Sequence, residues 1–217
     1  MKPVCFLSRV CRISQYDVEK KKKGFSVSQK HIFLTGKVQV GKSTIIRRLL
    51  SSEACGGKTL GGFRTVNLGR YVYIMGADQT ISQCSEKNIC GYRYMDRCNV
   101  DSYPEVFDGL GCRLLENTGR ADIIVMDELG FLESEAFLFQ RRILEILDGN
   151  TPVIGVIKPK RSEFLDRVRE HPQVKVVEIT PENRRERMKS ICSSAEWMRP
   201  AEHGPDSYVP AEPQRYR

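Results

Sequence analysis

Paired cysteines of the kind that bind zinc or form disulfide frameworks are absent from this sequence, although it contains eight cysteines in 217 residues. No two form a Cys-x-x-Cys pair, and Cys84, Cys90 and Cys98 are spaced by six and eight residues, which fits no standard zinc pattern even with His31 added. Disulfide frameworks belong to short secreted chains. We therefore expect reduced thiols and no zinc.

Long apolar runs are also missing. No window approaches 18 apolar residues, so the sequence predicts no membrane span. Arg9 and Arg12 interrupt the apolar stretch near Met1 before it could form the core of a signal peptide. We expect a cytoplasmic protein on these grounds.

Excess positive charge is scarce outside the first 30 residues. The net charge is +8, of which residues 1–30 carry +6, including the run Lys20–Lys23. Charge blocks of this kind are usually solvated and disordered. We interpret residues 1–30 as a basic N-terminal extension and as the only segment suited to contact nucleic acid or an anionic membrane. Residues 194–217 contain several prolines and little apolar periodicity, which indicates a flexible C-terminal tail.

Between these ends, residues 31–193 show apolar strands that alternate with amphipathic helices. This alternation predicts an α/β fold of three layers with a mainly parallel sheet, as in RecA-like and kinase-like P-loop proteins. A hairpin around Asn67-Leu68-Gly69 and a cysteine-rich stretch at 77–101 lie in the middle of the chain. The predicted buried strands span 31–35, 121–126, 152–157 and 174–179, and the predicted helices span 43–50, 103–115, 136–147 and 161–169, with a last one after Thr180.

A complete phosphate-binding motif follows the first strand. Residues 36–43 match G-x-x-x-x-G-K-[ST], with an apolar strand before the motif and a helix after it. Gly36 and Gly41 allow a tight loop, and the loop N–H groups then face the phosphate oxygens. Lys42 brings positive charge to the β- and γ-phosphates, and the Ser43 hydroxyl is placed to bind Mg²⁺. The predicted nucleotide-binding residues are Gly36, Lys37, Val38, Gln39, Val40, Gly41, Lys42, Ser43 and Thr44.

The second apolar strand ends in a pair of carboxylates. Asp127 and Glu128 directly follow Ile123–Met126, at the edge where parallel α/β sheets bind ligands. Asp127 is predicted to hold Mg²⁺ with Ser43, through a water molecule, because Mg²⁺ keeps much of its hydration shell. Glu128 is predicted to activate the attacking water and is, with Lys42, the candidate catalytic residue.

Further polar residues end other predicted elements. Lys158 follows the third buried strand and Arg64 follows Phe63, so both are candidate sensors of the γ-phosphate; a solvated side chain is the alternative for each. Asn183 and Arg184 fall where related folds place the base, with helix capping and surface charge as the alternatives. No Asn-Lys-x-Asp motif is present, which excludes the guanine-binding element of Ras-like GTPases.

These motifs together resemble the nucleoside-triphosphatase family known from thermophilic prokaryotes and, in humans, as the cancer-related nucleoside-triphosphatase. The resemblance implies a P-loop fold, Mg²⁺ and slow hydrolysis of several nucleoside triphosphates. The two tails lie outside the family core, and the cysteine-rich stretch replaces a longer hairpin. The similar stretches, between about residues 31 and 192, are Ile32-Phe33-Leu34-Thr35-Gly36, Gly62-Phe63-Arg64-Thr65, Val125-Met126-Asp127-Glu128-Leu129-Gly130, Val174-Lys175-Val176-Val177 and Thr180-Pro181-Glu182-Asn183-Arg184.

Three functions are consistent with the sequence. The leading hypothesis is Mg²⁺-dependent hydrolysis of nucleoside 5'-triphosphates to diphosphate and phosphate. A kinase that transfers the γ-phosphoryl group to a small molecule or nucleotide is the first alternative. A nucleotide-gated switch or scaffold that makes contacts through its basic tail is the second. The base preference and the oligomeric state leave no signature in the sequence.

Overall fold

A computed structural model describes residues 29–94 and 99–193. Most of the predicted basic extension, Cys98 and the predicted flexible tail lie outside the described residues. The first described strand is β1, His31–Thr35, as the apolar run at this position predicts. Among the described residues, no helix is long and apolar enough to cross a membrane.

The described strands form one sheet in the order β5-β4-β3-β2-β6-β7-β1-β8. The five strands β2, β6, β7, β1 and β8 pair in parallel, whereas β3, β4 and β5 extend the edge beyond β2 in antiparallel pairs. The predicted mainly parallel α/β sheet is therefore confirmed. The strands are β1 His31–Thr35, β2 Leu60–Leu68, β3 Tyr71–Gly76, β4 Ile89–Arg93, β5 Val100–Ser102, β6 Ile123–Leu129, β7 Val153–Ile157 and β8 Val174–Glu178.

Helices cover both faces of the sheet. The segment α2 at 104–116 is α-helical at Pro104–Val106 and Cys112–Glu116, with a π-helical turn at Phe107–Gly111 between them. The remaining helices are α1 Lys42–Leu50, α3 Phe137–Leu147, α4 Glu163–Arg169 and α5 Arg184–Ser193, and short 3-10 turns lie at Glu53–Cys55, Ile81–Gln83, Glu86–Asn88 and Asn117–Arg120.

Two apolar clusters occupy the two faces because successive strand residues point to opposite sides. In β1, Phe33 packs into the cluster beneath α2, α3 and α4, whereas Ile32 and Leu34 pack into the cluster beneath α1 and α5. The same alternation along β6 and β7 divides their apolar residues between the two clusters. This arrangement accounts for the three layers that the sequence predicts.

The middle of the chain differs in detail from the prediction. The hairpin exists, but β2 continues through Leu68 and the turn lies at Gly69-Arg70 rather than being centred on Leu68. The cysteine-rich stretch, in which only a β-like patch at 91–95 is predicted, contains β4 at Ile89–Arg93 as an inner strand of the antiparallel extension. Cys90 is fully buried in β4, and burial raises its thiol pKa to about 12, which keeps the thiol protonated.

Candidate functional site

The loop after β1 wraps tightly because two of its glycines have backbone conformations that other residues rarely adopt. Gly36 has φ +134° and Gly41 has φ +101°. A Cβ at Gly36 would lie 2.3 Å from the carbonyl oxygen of Ile179, so no side chain fits there. The loop then leads directly into α1, which begins at Lys42, one residue before the predicted start.

The Lys42 side chain lies across this loop and is almost fully buried, with 8% of its surface exposed. Its Nζ donates hydrogen bonds to the carbonyl oxygens of Gly36 at 2.9 Å and Lys37 at 2.8 Å. Burial lowers the pKa of the ammonium group, and the nearby carboxylates of Glu128 and Asp127 oppose that effect. The loop thus holds the positively charged Lys42 ammonium against two of its own backbone carbonyl oxygens.

Ser43 and Asp127 meet across the sheet although they are 84 residues apart in the chain. The Ser43 Oγ donates to Asp127 Oδ1 at 3.4 Å. Burial and the neighbouring Glu128 raise the pKa of Asp127 to about 6, while the Ser43 hydrogen bond, Arg64 and Lys42 act in the opposite direction. A hydroxyl oxygen next to a carboxylate oxygen is the type of donor set that Mg²⁺ prefers, so the residues present fit this metal.

Glu128 pairs with Lys158 at the ends of neighbouring parallel strands. Lys158 Nζ lies 2.9 Å from Glu128 Oε1, and both side chains remain about 30% exposed, 28% for Lys158 and 32% for Glu128. The ammonium group of Lys158 also lies 4.8 Å from the centre of the Phe131 ring. Because β7 lies between β1 and β6, Lys158 is between the phosphate-binding loop and the two carboxylates in the sheet order.

Arg64 lies on β2, opposite Asp127 in the parallel pairing of β2 and β6. Its Nη2 donates to the carbonyl oxygen of Gln79, and its Nε is buried without a hydrogen-bond partner among the described residues. A buried unpaired donor is unfavourable. The alternative that Arg64 is simply a solvated strand residue does not match this burial.

Of the two candidate base-binding residues, Arg184 lies beside the loop, whereas Asn183 takes the capping role given as its alternative. Asn183 forms a capping box with Thr180: its N–H donates to Thr180 Oγ1 at 3.3 Å, and the Thr180 N–H donates to Asn183 Oδ1 at 2.9 Å. The Arg184 side chain lies against Gly41, since a Cβ there would be 3.0 Å from Arg184 Cδ. A cavity of about 290 Å³ opens at this point, lined by Gly41, Thr44, Ile45, Arg48, Arg184, Arg185 and Met188.

Two residues of this region were not predicted from sequence. Glu133 is 2% exposed, and its Oε1 accepts a hydrogen bond from the Gly130 N–H. Arg169 donates to the carbonyl oxygens of Lys158 and of Lys160, the latter at 2.7 Å, and so fixes the loop after β7. A buried acid five residues after Glu128 lacks a recognisable motif, and Arg169 acts through contacts that only the folded chain creates.

Comparison with known proteins agrees with this architecture. The model of a protein family described as NTPase matches residues 31–192, which is most of the chain. The chain belongs to this NTPase family. The family resemblance expected from the sequence is therefore confirmed over the described P-loop domain.

The sequences of individual relatives are distant from this one, but each match extends over most of the length of the relative. The cancer-related nucleoside-triphosphatase homolog of Bos taurus is 28% identical over 184 residues, which span 76% of this chain and 95% of that protein. Nucleoside-triphosphatase THEP1 of Thermotoga petrophila is 26% identical over 171 residues, covering 74% of this chain and 89% of the relative. The crystal structure of THEP1 from Aquifex aeolicus shares the fold, with a TM-score of 0.62 at 23% identity over 76% of this chain and 99% of that one.

Proposed function

We propose that this protein is an Mg²⁺-dependent hydrolase of nucleoside 5'-triphosphates, which releases the diphosphate and inorganic phosphate. The observation that carries the proposal is the assembly of Lys42, Ser43, Asp127, Glu128 and Lys158 at one edge of the sheet, from three neighbouring strands. The family membership supports the same reaction class.

The phosphate end of the substrate would lie in the loop 36–43. The loop N–H groups and the Lys42 ammonium would bind the β- and γ-phosphates, for which Lys42 would give up its bonds to the Gly36 and Lys37 carbonyls. Ser43 and Asp127 would hold Mg²⁺, which supplies charge neutralisation at the phosphate oxygens. The cavity beside Thr44 and Arg184 would take the ribose and base.

Glu128 is the proposed base for the attacking water. A bond forms between the water oxygen and the γ-phosphorus, the bond from that phosphorus to the bridging oxygen breaks, and the water proton passes to Glu128. The diphosphate leaves with the electron pair of the broken bond. Carboxylates that align and deprotonate water typically contribute about 10²–10⁴-fold to such rates.

Lys158 would make the availability of Glu128 as a base depend on bound triphosphate. Its ammonium group lies 2.9 Å from Glu128 Oε1 and neutralises this carboxylate. A γ-phosphate carries more negative charge than a carboxylate, so bound triphosphate would attract Lys158 and free Glu128 to accept a proton. In this proposal Lys158 senses the γ-phosphate, as the sequence suggested. The guanidinium group of Arg64 adds positive charge next to Asp127, and its unpaired Nε is a donor that a phosphate oxygen would satisfy.

The test is a phosphate-release assay with ATP, GTP, CTP and UTP, each with Mg²⁺ and with excess chelator, accompanied by a screen of small-molecule and nucleotide acceptors. We expect Mg²⁺-dependent phosphate release without any acceptor. Transfer of the γ-phosphoryl group to an acceptor, with little release to water, would instead establish the kinase alternative. Tight nucleotide binding with negligible turnover would favour a switch.

A further inference from the structure

The loop that follows β6, and so follows Glu128, contains a fully buried carboxylate. Glu133 follows β6 by four residues and is 2% exposed. Burial of a charged side chain is costly unless the charge has a partner. Acceptance of one hydrogen bond from the Gly130 N–H does not require a charge, because a neutral amide oxygen would serve as well. When Glu133 is ionised, a cation within reach of its carboxylate therefore stabilises it in addition to the backbone N–H groups.

Lys158 is the cation whose charge acts on Glu133, and it follows the neighbouring strand β7. Burial raises the pKa of Glu133 to about 7; hydrogen bonds from the backbone N–H groups of Gly130 and of Glu133 itself, and then attraction to Lys158, lower the pKa, and repulsion from Glu128 raises it. The third ionisable group that faces Glu133 is the Cys90 thiol of β4. The Lys158 ammonium thus pairs directly with Glu128 and also attracts the Glu133 carboxylate without contacting it in any described ion pair.

The turn at Gly130 contacts both residues: its N–H donates to Glu133, and the Lys158 side chain packs against it. The aliphatic part of Lys158 lies across Gly130, because a Cβ at Gly130 would be 2.8 Å from Lys158 Cδ. The Lys158 N–H donates to the Leu129 carbonyl at 2.8 Å, next to this turn. Gln140 holds the other side of the same loop through hydrogen bonds to the carbonyls of Glu133 at 2.7 Å and Ser134 at 2.9 Å.

We propose that Glu133 is a positioning residue for the hydrolysis: through the Gly130 turn and its charge, it determines where the Lys158 ammonium lies and how readily Glu128 is released from it. This inference rests on the proposed function. Glu133 touches neither the phosphate-binding loop nor the proposed metal ligands in any described contact, so its effect acts on turnover through Lys158 and leaves nucleotide binding alone.

The test compares Glu133→Gln with the parent in phosphate release from pH 5.5 to 8.5. Gln keeps the size and the acceptor for Gly130 but lacks the charge. We expect kcat to fall by about tenfold to a hundredfold, KM to stay within about twofold, and the change of kcat between pH 6 and 8 to become flatter. Gly130→Ala, which displaces the Lys158 stem while leaving Glu133 intact, should lower kcat in the same way but keep the pH dependence.

Gln140→Leu is the matched control, because it loosens the same loop without changing its charge. It should lower the melting temperature and leave the pH dependence of kcat as in the parent. A purely structural role for Glu133 predicts that Glu133→Gln does the same, and a Glu133→Gln protein with parental kcat and pH profile would overturn the proposal.

A readout that needs no turnover separates this proposal from the proposed function. The rate at which acetic anhydride labels Lys158 in the nucleotide-free protein is measured by mass spectrometry. Loss of the Glu133 charge removes an attraction that helps to hold the Lys158 ammonium in place, so labelling should be about threefold faster in Glu133→Gln. Unchanged labelling would refute the coupling. Faster labelling in a protein that releases no phosphate would refute the proposed function alone.

Discussion

Ser43 Oγ lies 3.4 Å from Asp127 Oδ1, so the end of the phosphate-binding loop and the end of β6 offer two oxygen ligands at one point. The two residues are not on neighbouring strands, because β7 separates β1 from β6. The hydrogen bond therefore joins two elements across an intervening strand.

Replacement of Asp127 by Asn should weaken the binding of Mg²⁺ and the binding of nucleotide together. The amide keeps the size of the side chain but loses the negative charge that attracts the cation. We expect at least about tenfold more Mg²⁺ for half-maximal phosphate release. The measurement is a Mg²⁺ titration at fixed ATP. Asp148→Asn, at an exposed aspartate outside the site, serves as the control, and an unchanged Mg²⁺ requirement in Asp127→Asn would remove Asp127 from the metal site.

Replacement of Lys42 by Ala should greatly reduce nucleotide affinity. A charged hydrogen bond to phosphate is worth roughly 1.5–3 kcal/mol, which corresponds to about a tenfold to hundredfold change in Kd. Equilibrium binding of a nonhydrolysable ATP analogue measures this change directly. Lys175→Ala removes an exposed lysine from β8 and should bind like the parent. Parental affinity in Lys42→Ala would mean that the loop binds phosphate without its lysine.

Removal of residues 1–28 should leave the domain folded and active. The first described long-range contact is made by Gln29, whose Nε2 donates to the Val174 carbonyl at 3.4 Å, and β1 begins at His31. We expect a change in Tm of no more than about 2 °C and phosphate release within about twofold of the full chain. A large drop in Tm would show that the extension packs on the domain. Loss of RNA or anionic-lipid binding with activity retained would assign those contacts to the extension.

The buried His31 should make stability depend on pH. Its Nε2 donates to the Leu147 carbonyl at 3.0 Å, and its Nδ1 accepts from the Val153 N–H at 3.2 Å, so the ring is held neutral. Burial lowers its pKa from 6.5 to about 4. Because the folded-state pKa is the lower one, this contribution is present above pH 6.5 and is lost as the pH falls through 4.

The complete loss, reached below pH 4, should amount to about 3 kcal/mol of the free energy of unfolding, from a pKa difference of about 2.5, and about 2.4 kcal/mol of it should already be lost at pH 4.5. Urea unfolding of the parent and of His31→Asn at pH 7 and pH 4.5 measures it. Asp127 and Glu133 have raised pKa values and favour the folded state at low pH, but both proteins share them. The parent should therefore lose more stability than the variant, and parallel losses would contradict the neutral, buried ring.

The sequence allowed the fold and much of the candidate site to be predicted because their signals are local. The loop 36–43 is contiguous, and the alternation of apolar strands with helices is visible within short windows. The Thr180 cap was also predicted, although α5 is regular only from Arg184. Each of these features depends on neighbours in the chain.

The remaining features depend on the order of the strands, which no short window contains. The pairing of Lys158 with Glu128 requires β7 to lie beside β6, and the burial of His31 requires β1 to lie beside β7. Glu133 is an acidic residue followed directly by Ser134 and Glu135, so its type and these neighbours suggest exposure rather than a buried position. The cysteine-rich stretch was hard to interpret because β4 pairs with β3 over a register shift.

The most direct measurement of the central claim compares nucleotide binding with turnover in Glu128→Gln. In the proposed mechanism, binding rests on Lys42, the loop N–H groups and Mg²⁺, none of which needs Glu128, whereas water activation needs a carboxylate. We predict ATP affinity within about threefold of the parent and a kcat lower by about 10²–10⁴-fold, with exposed Glu135→Gln behaving as the parent. Parental turnover in Glu128→Gln would contradict the account and place the water-activating group elsewhere.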